Sequence, residues 1–471
     1  MARLGLCLGA VALLLAQPAW SATDGFPKTV VGMAARTYIE ALNKGDLETY
    51  ATFMRANDPA YAIGRDDFDQ FRRQVGLFDL IRIDRASGDK LTALLKQRAS
   101  DSFATLEIEI DPLSPNQVRR VSLERRDRPD NVAAPERVDD RALAKVITAK
   151  LDATPDFSGA VLVTRDGRPV FIAARGLADR TRGIPNAPQT RFRIGSINKM
   201  LTAVAVLQLV QAGSIDLDAP LGAYLPNYPN SDLAGKATIR QLLTHTAGAG
   251  ELFTLGFSEN RDALREIADI VAFYGGRPPE FEPGATFAYS DYGFILLGRI
   301  IEVVSGRSYD DYVAVKILTP AGMHRTGALP EAVTVPDRTT DYVMIGDRYE
   351  PTSGTLPYRG TSAGGGYSTV GDLAAFATAL SSDKLLDQTH TRLMTTGQVP
   401  TDEGQRYGFG VFDYSHPGWR EIGHNGVGPG LNAELRILAD GKVIIVILTN
   451  VAPPGRAGQL SSFIKARLRI D

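Results

Sequence analysis

Phe192-Arg193-Ile194-Gly195-Ser196-Ile197-Asn198-Lys199 leads directly into Met200, Leu201, Val204, Leu207 and Val210, apolar residues at helical spacing. The pattern predicts a buried helix over residues 197–212, closed by Gly213. A serine and a lysine three residues apart at the head of a helix share one face, with Cβ atoms about 5–6 Å apart, so the amine can reach the hydroxyl. Ser87/Lys90, Ser381/Lys384 and Ser462/Lys465 have the same spacing. Context separates them. The first two pairs enclose Gly88-Asp89 and Ser382-Asp383 in polar segments, and the third sits inside a C-terminal amphipathic helix. Only Ser196 opens a strongly apolar helix, whose first amides would face the nucleophile's surroundings. The plainer alternative is that Ser196 merely caps the helix and Lys199 is solvated.

Outward from this helix, the order of elements defines the fold class. Val161-Leu162-Val163 and Val170-Phe171-Ile172 flank Asp166-Gly167, while Leu435-Arg436-Ile437 and Val443-Ile444-Ile445-Val446 flank Asp440-Gly441. Asp-Gly between apolar stretches predicts a hairpin at each end of the region. Helical patterns fill the middle, including residues 292–305 closed by Gly306. The expected architecture is α+β: one antiparallel sheet built from both ends of the catalytic domain, flanked by helices, with an inserted helical lobe.

Residues 23–127 read as a small α+β accessory domain. Val30, Val31, Ala34, Ile39 and Leu42 make its helical opening, and residues 103–110 and 118–123 alternate as strands. Its stretch Tyr38-Ile39-Glu40-Ala41-Leu42-Asn43-Lys44-Gly45-Asp46-Leu47 is similar to the first helix of NTF2-like domains. A proline-containing polar linker is expected at 128–136 and the catalytic domain at 137–471.

Two further motifs accompany the Ser-x-x-Lys pair. Tyr289-Ser290-Asp291 precedes an apolar helix, and His424-Asn425-Gly426 directly precedes a terminal strand pair. A tyrosine before an apolar helix is often only core. In this order the three motifs resemble those of the serine β-lactamase-related family, with class C β-lactamases, family VIII esterases, D-aminopeptidases and D,D-peptidases among its members. Gly213-Ser214-Ile215-Asp216-Leu217-Asp218-Ala219-Pro220, Leu242-Leu243-Thr244-His245-Thr246-Ala247-Gly248 and Gly365-Gly366-Tyr367-Ser368-Thr369 extend the likeness over about 158–450. The resemblance implies that Ser196 attacks a carbonyl while Lys199 and Tyr289 share the proton work. It also implies an oxyanion hole from the backbone N–H groups of Ser196 and Val427, and substrate binding by Asp291, His424, Asn425 and Gly426. His245 reads as structural, and Asn425 either orients substrate or ends the strand.

Two departures bear on substrate. Asp291 stands where the penicillinases have asparagine, and His424 where they have lysine. An aspartate beside Lys199 favours the ammonium and moves the base role towards Tyr289. A largely neutral histidine offers no fixed charge to a substrate carboxylate. Both point away from β-lactams, towards a small ester, amide or peptide.

Composition narrows the partners. A net charge of -2 with interspersed signs gives no nucleic-acid footprint. Arg3, the apolar run Leu4–Leu15 and Ala19-Trp20-Ser21 read as a signal peptide over 1–22, so an exported protein, periplasmic or secreted and without a membrane span after cleavage, is expected. Cys7, the one cysteine, falls within that leader, which excludes disulfides and thiol chemistry from the mature chain. Five histidines without ligand spacing give no metal motif, and no cofactor is expected. Two rival readings remain. A penicillin-binding or β-lactamase-like sensor would keep the fold without turnover. An α/β-hydrolase would use Gly360-Thr361-Ser362-Ala363-Gly364, although a nucleophile elbow needs an apolar strand before it and Pro351 to Arg359 reads as loop.

Overall fold

The computed structural model describes residues 20–21 and 25–470, apart from 99, 112, 127, 130, 131, 347, 403 and 454. The leader expected over 1–22 therefore lies outside the described residues, save its last-but-one pair, Trp20–Ser21. The chain divides into two compact units at Ala133/Ala134.

In the first unit, helices α1 (Val30–Lys44), α2 (Leu47–Arg55) and α3 (Arg65–Val75) precede four antiparallel strands. These are β1 (Phe78–Ala86), β2 (Lys90–Gln97), β3 (Phe103–Asp111) and β4 (Ser114–Arg126), with Trp20–Ser21 paired along β1. Thr29 caps α1 by accepting from the Gly32 amide, and Gly45 closes it at φ 73°. The helix buries Val31, Ala35, Tyr38, Ile39 and Leu42 in one core with Ala104, Leu106, Ile108 and Ile110 of β3. Strand β1 escaped the sequence reading because Asp79, Arg82, Asp84 and Arg85 interrupt it and two bulges break its period of two.

The second unit opens with α4 (Asp140–Asp152) and the hairpin of β5 (Gly159–Arg165) and β6 (Arg168–Arg175). Asp166 and Gly167 turn it at φ 47° and 72°, the double left-handed conformation of a type I′ turn. Helices α5 (Asn198–Gln211), α6 (Asp291–Ser305) and α7 (Val370–Ser381) belong to the middle of the chain. Strands β7 (Glu421–Gly428), β8 (Leu431–Leu438) and β9 (Val443–Thr449) follow, then α8 (Ala457–Arg467). Strand β9 pairs with β5, Ile445 opposite Val163, so the two ends of the unit close one antiparallel sheet. Three two-residue strands, the last at Phe412–Asp413, extend it beyond β7 to eight. The second hairpin turns on four residues, Ala439 to Lys442, rather than on Asp440-Gly441 alone.

Helices cover both faces of this sheet. Leu162, Leu435, Ile437, Val446 and Leu448 pack with α5 and the helical lobe, while Val161, Val163, Ile445 and Ile447 pack with Leu143, Ile147, Leu460 and Ile464 of α4 and α8. Every residue of β9 is consequently buried, as expected of a strand covered on both sides. Helix α5 is buried on nearly all sides from Asn198 to Leu207, which fixes the position of its first turn. Among the described residues, no helix is long and apolar enough to cross a membrane.

Candidate active site

The approach to α5 is held by backbone on two sides. Phe192–Arg193 pairs with Tyr367–Ser368, and the Ile194 amide donates to the Gly366 carbonyl at 2.9 Å. The chain then turns at Gly195, φ 51°, and a Cβ there would stand 3.1 Å from the Gly426 Cα on β7. Only glycine meets both demands. Ser196 occupies the short turn Gly195–Ile197 at the head of α5, partly open to solvent, where the helix amides bias the surroundings towards negative charge.

Lys199 is fully buried beneath it. Its ammonium donates to Ser196 Oγ at 3.1 Å, to Ala363 O at 2.8 Å and, by a short ion pair, to Asp291 Oδ1. An ammonium has three protons, and three acceptors take them. Asp291 is the first residue of α6, placed there by the Ser290 cap, whose hydroxyl accepts from the Gly293 amide at 2.9 Å. Burial alone would drive Lys199 towards the neutral amine. The Tyr289 oxygen and the Asp291 carboxylate outweigh it and hold the group above the ordinary lysine value.

Tyr289 has its ring centroid 4.7 Å from the Lys199 nitrogen and a hydroxyl that interacts with Ser196 and Lys199. Burial pushes this phenol up, and the opposing pull of the Lys199 charge does not cancel the effect. The ring packs against His245 at 4.2 Å between centroids, the two planes tilted by 34°. His245, at φ 58°, takes the Ser290 amide on Nδ1 at 3.0 Å, which leaves its proton on a buried, unpartnered Nε2. Burial first, then the Lys199 charge, holds it well below the usual histidine range.

The structure brings Ser196, Lys199, Tyr289 and Asp291 into one cluster and changes the expected surroundings. Asp291 spends an oxygen on Lys199, so its expected place as a substrate ligand gives way to an ion pair within the protein. His424 is buried, with both ring nitrogens occupied. Nδ1 donates to Asn425 O at 2.6 Å and Nε2 accepts from the Tyr407 hydroxyl at 3.1 Å. Desolvation, then the Lys199 charge, pushes it down to about 3. It offers substrate neither charge nor a free nitrogen. Asn425 sits opposite Glu434, and the pleat turns its side chain to the face away from His424 and Gly426, so its expected substrate contact is not supported. Gly426 packs so closely on Ile194 that a Cβ would stand 2.1 Å from that carbonyl; it shapes the site without a side chain. Val427 is 66% exposed, on the stretch of β7 beyond its pairing with Phe412–Asp413. Ser362 has no exposed surface and its Oγ abuts Gly298, which removes the α/β-hydrolase alternative.

Tyr407, which holds His424 Nε2, escaped the sequence reading; it comes from the two-residue strand Arg406–Tyr407. Both histidines are held neutral, and both Lys199 and Tyr289 hold their protons more tightly than the free groups do. The kcat/KM for a neutral ester should therefore climb steadily from about pH 6 towards pH 9, as the proton-accepting group is freed. An acidic limb centred near the ordinary histidine value would contradict this assignment of charges.

Comparison with known proteins agrees with this geometry. A family model described as Beta-lactamase matches residues 143–466. A protein named putative penicillin-binding protein PbpX, from Bacillus subtilis (strain 168), is 31% identical over 65% of this chain and 74% of its own length. Esterase EstB of Burkholderia gladioli is 34% identical over 41% of this chain and 55% of its own. The crystal structure of a D-stereospecific amidohydrolase from Streptomyces sp. superposes with a TM-score of 0.57 at 28% identity, covering 70% of this chain and 98% of that one.

Proposed function

The chain belongs to the β-lactamase family of serine hydrolases, and we propose that it is an exported enzyme cleaving small esters, amides or peptides through an acyl-enzyme on Ser196. The observation that carries this reading is the buried ammonium of Lys199 hydrogen-bonded to Ser196 Oγ, with Tyr289 and Asp291 against it. In the proposed cycle the Lys199–Tyr289 pair first releases one proton to solvent, and Ser196 Oγ then attacks the carbonyl while its own proton passes into that pair. The tetrahedral oxyanion is held by the Ser196 and Val427 amides. Tyr289 returns the proton to the leaving group, and water then repeats the sequence on the acyl-enzyme.

Hydrolysis, as opposed to a stoichiometric sensor, is tested by multiple turnover of an activated ester. A panel of short-chain p-nitrophenyl esters, D-amino-acid amides and a cephalosporin tests the substrate class. A cephalosporin carries a carboxylate that wants a fixed cation, but Lys199 has committed all three protons and His424 is neutral. The best neutral ester should exceed it in kcat/KM by about 10²-fold or more, the scale of a few kcal/mol of unmet charge. Equal efficiency on the two would overturn the reading of the cleft's charge.

A further inference from the structure

The third acceptor of the Lys199 ammonium, Ala363 O, belongs to a loop rather than to a helix or strand, so its direction depends on what holds that loop. A chain of buried hydrogen bonds starts and ends there. The Gly366 amide donates to Asn198 Oδ1 at 3.0 Å, and the Asn198 side chain also bonds the hydroxyl of Tyr309, first residue of the short helix Tyr309–Val313. The Tyr309 and Thr202 hydroxyls lie 2.7 Å apart, and Thr202 Oγ1 donates to Ser362 O at 2.7 Å. Thr202 has one proton and the Ser362 carbonyl takes it, so Tyr309 supplies the proton between the two hydroxyls. Asn198 O, the other acceptor near Thr202 Oγ1, is farther off at 3.3 Å. All three side chains are buried.

The protons of this chain run one way, from Gly366 to Ser362, and Ala363 lies between its two ends. Asn198 and Thr202 are one helical turn apart on α5, so one rigid helix carries both the residues that grip the loop and the lysine that reaches it. Within the loop, Thr361 Oγ1 accepts from the Ala363 and Gly364 amides, each at 3.3 Å. A buried chain with every member satisfied is rigid, and removal of one hydroxyl strands its neighbours. We propose that Thr202, backed by Tyr309 and Asn198, is a positioning residue for the reaction. It holds the Ser362–Gly366 loop so that the Ala363 carbonyl meets Lys199 and turns the ammonium towards Ser196 Oγ. The assignment rests on the proton-transfer role of Lys199 and adds to it the device that aims the group. None of the hydrogen bonds of Thr202 reaches Ser196, Tyr289 or the Lys199 nitrogen.

Thr202→Val keeps the shape and removes the hydroxyl. With the loop released from one anchor, the Ala363 carbonyl supports the ammonium less well, and a charged form that loses a hydrogen-bond acceptor gives up its proton more easily. The other groups facing Lys199 stay as they are: Asp291 of α6, Tyr289, His245, Glu251 and His424 of β7. The rise of kcat/KM with pH on a neutral ester should therefore move to lower pH by about one unit, the scale of one hydrogen bond to a charged group. At its plateau, and counted per site labelled by a fluorophosphonate, kcat should fall about tenfold because the amine is no longer aimed, with KM unchanged. Thr202→Ser, which keeps the hydroxyl, should restore both. A lower melting temperature alone is what a purely structural hydroxyl gives, so Thr202→Val with the wild-type pH midpoint and the wild-type kcat per labelled site overturns the proposal. If Thr202→Val does not fold, Tyr309→Phe should show the same two changes in smaller measure, and their absence there overturns it equally. The two readings fail separately. Full turnover by the double substitution Lys199→Met with Asp291→Asn removes Lys199 from the mechanism, whereas an inert double variant beside an unaffected Thr202→Val refutes the role of Thr202 alone.

Discussion

Ser196→Ala should lower turnover of an activated ester by about 10⁴-fold or more and abolish covalent labelling by a fluorophosphonate, the scale seen when the nucleophile of a serine hydrolase is removed. The melting temperature should barely move. Ser196 sits in a partly exposed turn, its side chain caps no amide of α5, and the helix is held by its buried apolar residues. What the variant loses is the acceptor at 3.1 Å from Lys199 and the atom that attacks. Mass spectrometry of the labelled wild-type peptide should place the adduct within the peptide bearing Ser196. An adduct on Ser362, or undiminished turnover by Ser196→Ala, would sink the assignment.

How much of this was legible depends on what each residue does with its neighbours in sequence. The head of α5 was readable because one helix turn brings Ser196 and Lys199 together and the apolar run behind them has a single reading. The closing of the sheet by β9 on β5 was readable as two hairpins at the ends of the domain, although it pairs residues almost three hundred positions apart. The fate of His424 and Asn425 was not. Adjacent residues on a strand face opposite ways, and which way is set by the register of β7 against β8, a long-range fact that no local pattern carries. Tyr407, which occupies the second nitrogen of His424, lies 17 residues upstream, and its contact with that ring is set by the folding of the sheet rather than by any local pattern. The charge of Asp291 was read correctly as bearing on Lys199, but its full engagement depends on side-chain reach across α5 and α6.

The engagement of Asp291 with Lys199 makes a paired substitution more informative than either single one. Lys199→Met should abolish ester turnover to about the same extent as Ser196→Ala, because residues acting as one catalytic unit do not contribute additively. It should also destabilise the fold by about 3–5 kcal/mol, since a carboxylate at the buried start of α6 is left without its cation. A loss of activity in that variant is therefore ambiguous between chemistry and folding. Adding Asp291→Asn removes the uncompensated charge, so the double variant should recover most of the lost stability, read as the melting temperature at neutral pH. It should recover none of the turnover, because an amide opposite a thioether moves no proton. Tyr289→Phe provides the milder comparison: its ring still packs against His245, the fold is kept, and kcat should fall by about 10²-fold or more, the range for one proton-transferring group. Lys199 is assigned to the proton path because its ammonium joins the nucleophile to both Tyr289 and Asp291, and the alternative is that it merely neutralises a buried acid. Under that alternative the double variant, neutral and stable, would hydrolyse the ester as the wild type does. Recovery of turnover in the Lys199→Met/Asp291→Asn protein would thus remove Lys199 from the mechanism and leave Tyr289 to accept the serine proton by itself.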